Sequence, residues 1–385
     1  MKRLRPPGGY TKEDTEARKA WLEQVTGHRV TDPEPPEPEA LKGIIENHIG
    51  SMNIPMAVAG PLRLEGSYAR GEFYVPVCTL EGTLTMSMTR GMYLTHQSHG
   101  IRTQHMKQEL TRSPVFIFEN FDDRARFVEW LDSHYEEIKK TAESTTRHGK
   151  LLRVDRYPTQ NSMILDFVYY TAEAAGQNMT TIATHEACTY IRSAFTSDSN
   201  IKFKYFIESN FNSDKNPTHR LLIHGRGHYV TASALIKGKF LRRILRCDVE
   251  EMVVGWMQAS PGHQMAGVLG NNLHLANALA AIYLATGQDA ACVAENAVGI
   301  VTYEACNDDD LLMLLTMPAI TVGTVGGGTR LKQQRANLEM LGCTGENSSK
   351  KLAEIVCASA LALELSLAGA VGTDEFAQSH AQYGR

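Results

Sequence analysis

Apolar residues recur at helical spacing between Asp122 and Ser144, and they are predicted to share one side of a helix: Phe127, Trp130, Leu131, Tyr135 and Ile138. Four short apolar-rich runs around this stretch predict strands: PVFIFE, KLLRVDRY, SMILDFVYY and IKFKYFIE. A second helix is predicted from Gly176 to Phe195. Across residues 113–212 the order is therefore βαββαβ, the split motif of ferredoxin-like domains.

Two long stretches rich in small and apolar residues predict closely packed helices: NNLHLANALAAIYLATG and SKKLAEIVCASALALELSLAGAVG. The predicted fold class is α+β, with a large, mainly helical domain formed by residues 43–112 and 213–372. The small domain, residues 113–212, is inserted between these two parts. Residues 1–42 are predicted to form an arm and linker, with a short helix near Thr11 to Gln24, and residues 373–385 a C-terminal flap. The run DPEPPEPEA in the linker excludes a helix or a central strand.

Composition narrows the class of protein. A length of 385 residues exceeds what one compact core usually holds, and the net charge of -4 gives no nucleic-acid signature. Seven cysteines without a CxxC pair predict reduced thiols in a cytoplasmic protein. No stretch is predicted to span a membrane, the N-terminus lacks the apolar core of a secretory signal, and the histidine spacing predicts no metal site.

Four ionisable residues stand in segments of small or glycine neighbours: Glu81, Lys215, Asp289 and His380. The apolar and small neighbours of Glu81 predict a buried carboxyl group with a raised pKa, which suits a proton donor. Each residue also has an ordinary interpretation. Glu81 could begin a helix, Lys215 could be a solvated loop lysine, Asp289 could end a helix, and His380 could lie in a tail without function.

The segments that contain these four residues resemble, in the same order, motifs of the 3-hydroxy-3-methylglutaryl-coenzyme A reductase family. Two further segments resemble motifs of the same family: ENHIGSMNIPMAVAGPL (Glu46 to Leu62) and MPAITVGTVGGGT (Met317 to Thr329). The resemblance runs from about Glu46 to the last residue. It implies NADPH-dependent, four-electron reduction of an acyl-coenzyme A thioester to a primary alcohol. Lys215 would meet the negative charge on the carbonyl oxygen, Glu81 would donate a proton, and Asp289 would hydrogen-bond between them. His380 would protonate the departing thiolate.

The resemblance also implies cofactor contacts. The family turn that binds the nicotinamide cofactor corresponds to Glu173, Ala174, Ala175, Gly176, Gln177 and Asn178. A glycine turn at a helix N-terminus suits a phosphate group, although an ordinary start of a helix has the same pattern. Thr146 and Arg147 resemble the cluster that selects NADPH by its 2'-phosphate. Further contacts are expected at Arg226, Val325, Gly326, Gly327 and Gly328.

For the acyl and coenzyme A portions, the resemblance implies contacts at Ser87, Arg90, Arg112, Asn272, Ser379 and Arg385. Two positions depart from the family pattern at the site that holds the substrate carboxylate. Asn216 stands where the family has a basic residue, and Glu208 where it has a serine. Losing a cation and gaining an anion predicts weaker binding of a dicarboxylic acyl group.

Three functions therefore remain open on the sequence. The first is reduction of 3-hydroxy-3-methylglutaryl-coenzyme A to mevalonate. The second is reduction of another acyl thioester, and the third is non-catalytic binding of acyl-coenzyme A. The resemblance implies a homodimer or homotetramer with active sites between subunits and with contacts at Ile54, Pro55, Met56 and Val58. No nucleic-acid or membrane partner is expected.

Overall fold

The computed structural model of the chain describes residues 4–30, 34–307 and 309–373. The helices are α1 (Lys12–Thr26), α2 (Leu84–Gln97), α3 (Phe121–Ser133), α4 (Tyr135–Glu143), α5 (Gln177–Ser199), α6 (His219–His224), α7 (Gly238–Leu245), α8 (Val249–Ala266), α9 (Leu275–Thr286), α10 (Val293–Asn296), α11 (Lys332–Met340) and α12 (Ser348–Gly372). The strands are β1 (Met56–Glu65), β2 (Arg70–Cys78), β3 (Ile101–Arg112), β4 (Val115–Ile117), β5 (Lys150–Thr159), β6 (Ser162–Tyr170), β7 (Lys204–Phe206), β8 (Arg226–Lys237), β9 (Gly270–Asn271), β10 (Gly299–Cys306) and β11 (Asp310–Ile320).

The N-terminal arm is docked on the rest of the chain. Helix α1 begins at a capping box between Thr11 and Asp14, so the predicted helix is confirmed. Trp21 meets the ring of Tyr74 edge-on, with the ring centroids 5.0 Å apart, and packs beside the buried Val58. The linker that follows includes one 3₁₀ turn, Pro38–Leu41.

The segment from β4 to β7 contains the predicted elements in the predicted order. Its strands lie side by side as β7-β4-β6-β5, and every neighbouring pair is antiparallel. An aromatic cluster fills the space between these strands and helices α3, α4 and α5, and its members include Phe116, Phe118, Phe127 and Phe195. The core of this segment is separate from the main core of the chain.

The prediction of a single helix from Asp122 to Ser144 is wrong in one respect. The structure has two helices in this range, α3 and α4, and they meet at His134. The hydroxyl group of Ser133 donates to the carbonyl oxygen of Trp130 at 2.9 Å, and Nδ1 of His134 lies 3.0 Å from the same oxygen. These side chains occupy the carbonyl group that a continuous helix would use, so the helix ends there.

The larger part of the chain contains more sheet than predicted. Strands β3, β8, β11, β10 and β9 lie side by side, and β1 pairs with both β2 and β3. The prediction of a mainly helical domain therefore needs this correction. The apolar run of β11, DLLMLLTMPAI, cannot be assigned by periodicity, because a buried strand and a buried helix give the same pattern.

Strand β3 joins the two parts. Its residues from Arg102 to Glu109 pair with β8, and its last three residues, Leu110–Arg112, pair with β6. The boundary predicted at residue 112 thus falls at the end of one strand, which carries a single sheet from the larger part into the smaller one.

Helix α12 is the central element of the main core. It is 25 residues long and apolar enough to cross a membrane by length and composition, contrary to the prediction that no stretch would be. However, 78% of its most apolar window is buried inside the fold, as in the core helix of a globular domain. Helices α2 and α9 and strands β3, β8 and β11 pack against it.

Candidate active site

Lys215 and Asp289 form an ion pair, with 3.0 Å between Nζ and Oδ2, and both side chains are about half exposed at 47%. The hydrogen bond to Asp289 raises the pKa of Lys215 above its ordinary value, outweighing the opposite effect of partial burial. The other oxygen of Asp289 accepts the backbone N–H of Ala291, so this aspartate also caps the 3₁₀ turn Ala290–Cys292. The predicted contact between Lys215 and Asp289 is present.

Lys215 lies in the loop between β7 and α6, in the left-handed region at φ 58°. Its backbone N–H donates to Oε2 of the buried Glu295 at 2.5 Å. Oε2 also accepts from Nε of Arg226 at 3.2 Å. Arg226 was predicted to contact the cofactor, but only 1% of its surface is exposed, so it lies beneath the site.

Glu81 lies in the loop before α2 and is exposed, so the predicted burial of its carboxyl group is wrong for the single chain. Its Oε1 accepts from Nδ2 of Asn277 at 3.3 Å. Both residues line a pocket between α2, α9 and α12, whose other polar residues are Thr83, Ser87, Arg90 and His274. Leu84, Leu363 and Leu367 form part of its apolar wall.

Helix α9 separates Glu81 from Asp289. Asn277, the partner of Glu81, lies in the first turn of α9, whereas Asp289 follows the last turn. At about 1.5 Å per residue, the helix between these points is roughly 13 Å long. The predicted hydrogen bond between Asp289 and Glu81 is not among the contacts of the described residues.

The pocket also includes residues of the predicted coenzyme A site. The Ser87 hydroxyl group donates to Oγ of Ser366 at 2.9 Å, and Arg90 donates to the same oxygen at 2.9 Å and to the Ser366 carbonyl group at 2.8 Å. Asn272 donates instead to the backbone oxygens of Ala297 and Gly299, so it fixes a turn outside the pocket.

Two pocket residues escaped the sequence analysis, although both belong to the segment NNLHLAN. These are Asn277 and His274, and Nδ1 of His274 lies 2.9 Å from a carboxylate oxygen of the buried Glu364. The available signal was the presence of polar residues at the start of an otherwise apolar helical stretch.

The first turn of α5 offers free backbone donors. Its N-cap is Gly176 at φ 91°, with no side-chain cap, and the first intrahelical bond is donated by Thr180. The backbone N–H groups of Gln177 and Asn178 therefore point out of the helix end. This arrangement suits an anionic group.

Glu173, in the loop just before this helix end, has a structural role. The Glu173 carboxylate accepts the backbone N–H groups of Asn347 and Ser349, both at 2.7 Å, and the Ser348 hydroxyl group at 3.0 Å. Glu173 therefore caps the N-terminus of α12, and its contact with the cofactor stays a prediction.

A glycine-rich turn lies beside the start of α5. Ala174 forms a parallel bridge with Val325, and a Cβ on Gly323 would lie 2.3 Å from the Ala175 nitrogen. The next two glycines, Gly326 and Gly327, have φ angles of 80° and 50° and face open space. Gly328 packs against Gly287, two residues before Asp289, so this turn is also close to the lysine–aspartate pair.

Thr146 and Arg147 lie next to the same helix end. A Cβ on Gly149 would meet both Met179, in the first turn of α5, and Thr146, which shows that this loop packs on the helix start. The Thr146 hydroxyl group accepts the backbone N–H of Gly149 at 3.0 Å. The Arg147 side chain is exposed.

Arg112, the predicted carboxylate ligand, is already paired with two acidic groups. Its Nη1 lies 2.5 Å from Glu208 and its Nη2 3.3 Å from Asp214, and the residue is only 8% exposed. Asn216 donates to Asn210 and to the Asp214 carbonyl group, so it stabilises the lysine loop. The positive charge of Arg112 is thus balanced by the carboxylates of Glu208 and Asp214.

The remaining predictions fall outside the described ranges or concern metals. Ser379, His380 and Arg385 lie in 374–385, outside the described residues. Within the described ranges, no cluster of three or more histidine, cysteine, aspartate or glutamate side chains is placed to hold a metal ion.

Comparisons with known proteins show the family of the chain. The sequence model of hydroxymethylglutaryl-coenzyme A reductase matches residues 14–385. The chain is 37% identical over 376 residues to the 3-hydroxy-3-methylglutaryl-coenzyme A reductase of Methanocaldococcus jannaschii, covering 96% of this chain and 93% of that one. It is 36% identical over 392 residues to the enzyme of the same name from Aeropyrum pernix, covering 100% and 92%.

Among solved structures, the fold is similar to the class II 3-hydroxy-3-methylglutaryl-CoA reductase from Streptococcus pneumoniae bound to NADPH. The TM-score is 0.71 at 18% identity, and the match covers 94% of this chain and 97% of that one. The architecture is therefore a mixed α/β fold of the type found in class II reductases. The sequence comparisons go further, and the chain belongs to the hydroxymethylglutaryl-coenzyme A reductase family, which confirms the family predicted from its motifs.

Proposed function

We propose that this chain is a cytoplasmic oxidoreductase that uses NADPH to reduce 3-hydroxy-3-methylglutaryl-coenzyme A to mevalonate. The observation that carries the proposal is the Lys215–Asp289 pair, which presents an ammonium group at an exposed loop of a chain from this family. Reduction of a thioester to an alcohol takes two hydrides, and negative charge develops on the carbonyl oxygen each time. A fixed cation is the strongest electrostatic help for such a step.

The residues have distinct roles in this proposal. Lys215 faces the oxygen that becomes negative, and Asp289 holds the ammonium group in place. Glu81, at the mouth of the pocket, donates the proton that the oxygen takes up. His380 supplies a proton to the departing thiolate, as a histidine can near neutral pH.

The first turn of α5 and the turn Val325–Gly328 fit NADPH. The uncapped backbone N–H groups of Gln177 and Asn178 and the open space over Gly326 and Gly327 leave room for a diphosphate group. Arg147 and Thr146 would hold the 2'-phosphate. Each bound NADPH would supply one hydride, so the four-electron reduction would take two NADPH molecules in succession.

The division into domains follows from this assignment. We propose that residues 113–212 form an inserted ferredoxin-like cofactor domain. Two observations support this: the antiparallel strand order β7-β4-β6-β5, and an aromatic core that is separate from the main core. Residues 43–112 and 213–372 form the substrate domain. Residues 1–42 would form an arm, whose helix α1 packs on it through Trp21, and His380 belongs to residues 374–385, outside the described residues.

We further propose that a complete site needs two copies of the chain. Glu81 and Lys215 belong to opposite ends of α9 within one copy, so a second copy must supply one of them. The exposed Met52 and Met56 support an interface near the segment 46–56. Val58, predicted as a contact, is buried against Trp21 and Tyr74 inside its own chain.

A second substrate is favoured by one observation. Glu208 and Asp214 both pair with Arg112, which leaves no surplus positive charge for a substrate carboxylate. An acyl thioester with a neutral or cationic distal end would suit this surface better than a dicarboxylic one. The same reductive chemistry would act on it.

The first prediction tests the reaction itself. The purified protein should oxidise NADPH in the presence of 3-hydroxy-3-methylglutaryl-coenzyme A, with mevalonate found by mass spectrometry. Lys215→Ala should lower kcat by at least about 100-fold, the order of one lost oxyanion donor. Lys237→Ala is a matched control, because Lys237 also forms a partly exposed ion pair, 2.7 Å from Asp310. Equal effects of the two variants would show that Lys215 is an ordinary surface lysine.

The second prediction concerns the choice of cofactor. Arg147→Ala should raise the KM for NADPH about tenfold, the size of one lost charge-assisted hydrogen bond, and leave the KM for NADH nearly unchanged. Arg156→Ala is the control, because Arg156 pairs with Asp132 in the same domain. A similar rise for both cofactors would exclude a contact between Arg147 and the 2'-phosphate.

The third prediction concerns the acidic partners of Arg112. The double change Glu208→Ser and Asn216→Lys removes the nearer of the two acidic partners of Arg112, leaving Asp214, and adds a cation. It should lower the KM for 3-hydroxy-3-methylglutaryl-coenzyme A about tenfold, because one charge-assisted hydrogen bond is gained. Steady-state kinetics with a neutral acyl thioester gives the comparison. If the unmodified protein already has a micromolar KM and the double change does nothing, the second substrate is excluded.

A further inference from the structure

Glu295 is a buried carboxylate with no part in the chemistry proposed above. It lies in α10, is 0% exposed, and both oxygens are occupied. Oε1 accepts the Thr321 hydroxyl group at 2.5 Å, and Oε2 accepts the backbone N–H of Lys215 at 2.5 Å. A buried charge is costly unless it is paired and hydrogen-bonded, so this arrangement needs a partner of opposite charge.

Arg226 is that partner. It is also buried, and it donates Nε to Glu295 at 3.2 Å and Nη1 to the Thr111 carbonyl group at 3.0 Å. Its Nη2 lies 3.2 Å from Asp214, the residue before Lys215. The ion pair therefore holds two consecutive residues of the lysine loop from below.

The loop needs such support because of its backbone. Lys215 has a φ of 58° and Ser213 a φ of 64°, in the left-handed region that side chains other than glycine rarely adopt. A residue in this region stays there only when its surroundings fix it. The contact from Glu295 reaches the backbone of Lys215, whereas Asp289 holds its ammonium group.

We propose that Glu295, with Arg226 as its counterion, is a positioning residue that fixes the backbone of Lys215 and thereby aims its ammonium group at the reacting oxygen. This inference rests on the proposed function of Lys215. Among the described residues, Glu295 accepts hydrogen bonds from Thr321, Arg226 and the backbone of Lys215, so its loss should misplace the cation more than it changes the proposed binding surfaces. The signature is a fall in kcat without a matching rise in KM.

The experiment compares Glu295→Ala and Glu295→Gln with Glu354→Ala. Glu354 is an equally buried carboxylate, and it accepts the backbone N–H groups of Ser67, Tyr68 and Ala69 in the turn between β1 and β2, away from Lys215. Steady-state kinetics and Tm are measured for the whole protein. Arg226 is unsuitable for the test, because its Nη2 also donates to Gln177 at the proposed cofactor turn.

Glu295→Ala should lower kcat about 100-fold, the cost of misplacing a reacting group by about 1 Å, while the KM for NADPH and for the thioester stays within about threefold. Glu295→Gln retains an acceptor for the Lys215 N–H and should recover about tenfold of that loss. Glu354→Ala should lower Tm but change kcat by less than about threefold.

Two results would overturn the positioning role. The first is an equal loss of kcat in the Glu295 and Glu354 variants, and the second is a loss that appears in KM instead of kcat. If Glu295→Ala does not fold, Glu295→Gln decides by the same division between kcat and KM. Absence of NADPH oxidation by the unmodified protein would instead refute the proposed function, so the two failures are distinguishable.

Discussion

The burial of α12 is the constraint on which the rest of this structure depends. Its polar side chains lie in the main core and must find partners there. Glu354 accepts three backbone N–H groups of the turn between β1 and β2, and Glu364 accepts those of Leu273 and His274 at the start of α9. Ser366 binds Ser87 and Arg90 of α2. The last two of these partners, the start of α9 and helix α2, line the pocket around Glu81.

The first turn of α12 extends this arrangement to the cofactor side. Glu173 caps it from the loop before α5, and the same loop bridges to the glycine-rich turn through Ala174 and Val325. One buried helix thus fixes the pocket around Glu81 at one end and the start of α5 at the other. Glu173, predicted from the sequence as a cofactor contact, thus also connects the loop before α5 to the start of α12.

Local patterns were enough to predict the elements of the segment from β4 to β7, and the motifs included one pair of residues that are in contact. The elements from β4 to β7 follow from periodicity, and the loop motifs of Lys215 and Asp289 bring together two residues that are in contact. Contacts between residues far apart in the sequence could not be predicted from these patterns. A buried role for Arg226 depends on Glu295, which is 69 residues away, and capping by Glu173 depends on residues more than 170 positions later. Charged side chains usually lie at the surface, so the sequence alone favours the wrong environment for both.

The choice between Asn272 and Asn277 shows the same limit on a smaller scale. Both stand in one short segment, and only the start of α9 decides which of them faces the pocket. The position of that helix start also governs the site as a whole. With Asn277 at its first turn and Asp289 beyond its last, α9 keeps Glu81 and Lys215 apart within one chain. The proposal that two copies share the site rests on this separation.

The most direct test of this account is complementation between two inactive variants. Differently tagged chains carrying Glu81→Ala and Lys215→Ala are co-expressed, and the mixed dimer is isolated through both tags. If the site is shared, one of its two sites contains both changes and the other contains neither, so turnover should reach about half that of the unmodified dimer. If each chain builds its own site, every site carries one change, and turnover no higher than that of the single variants would contradict the account.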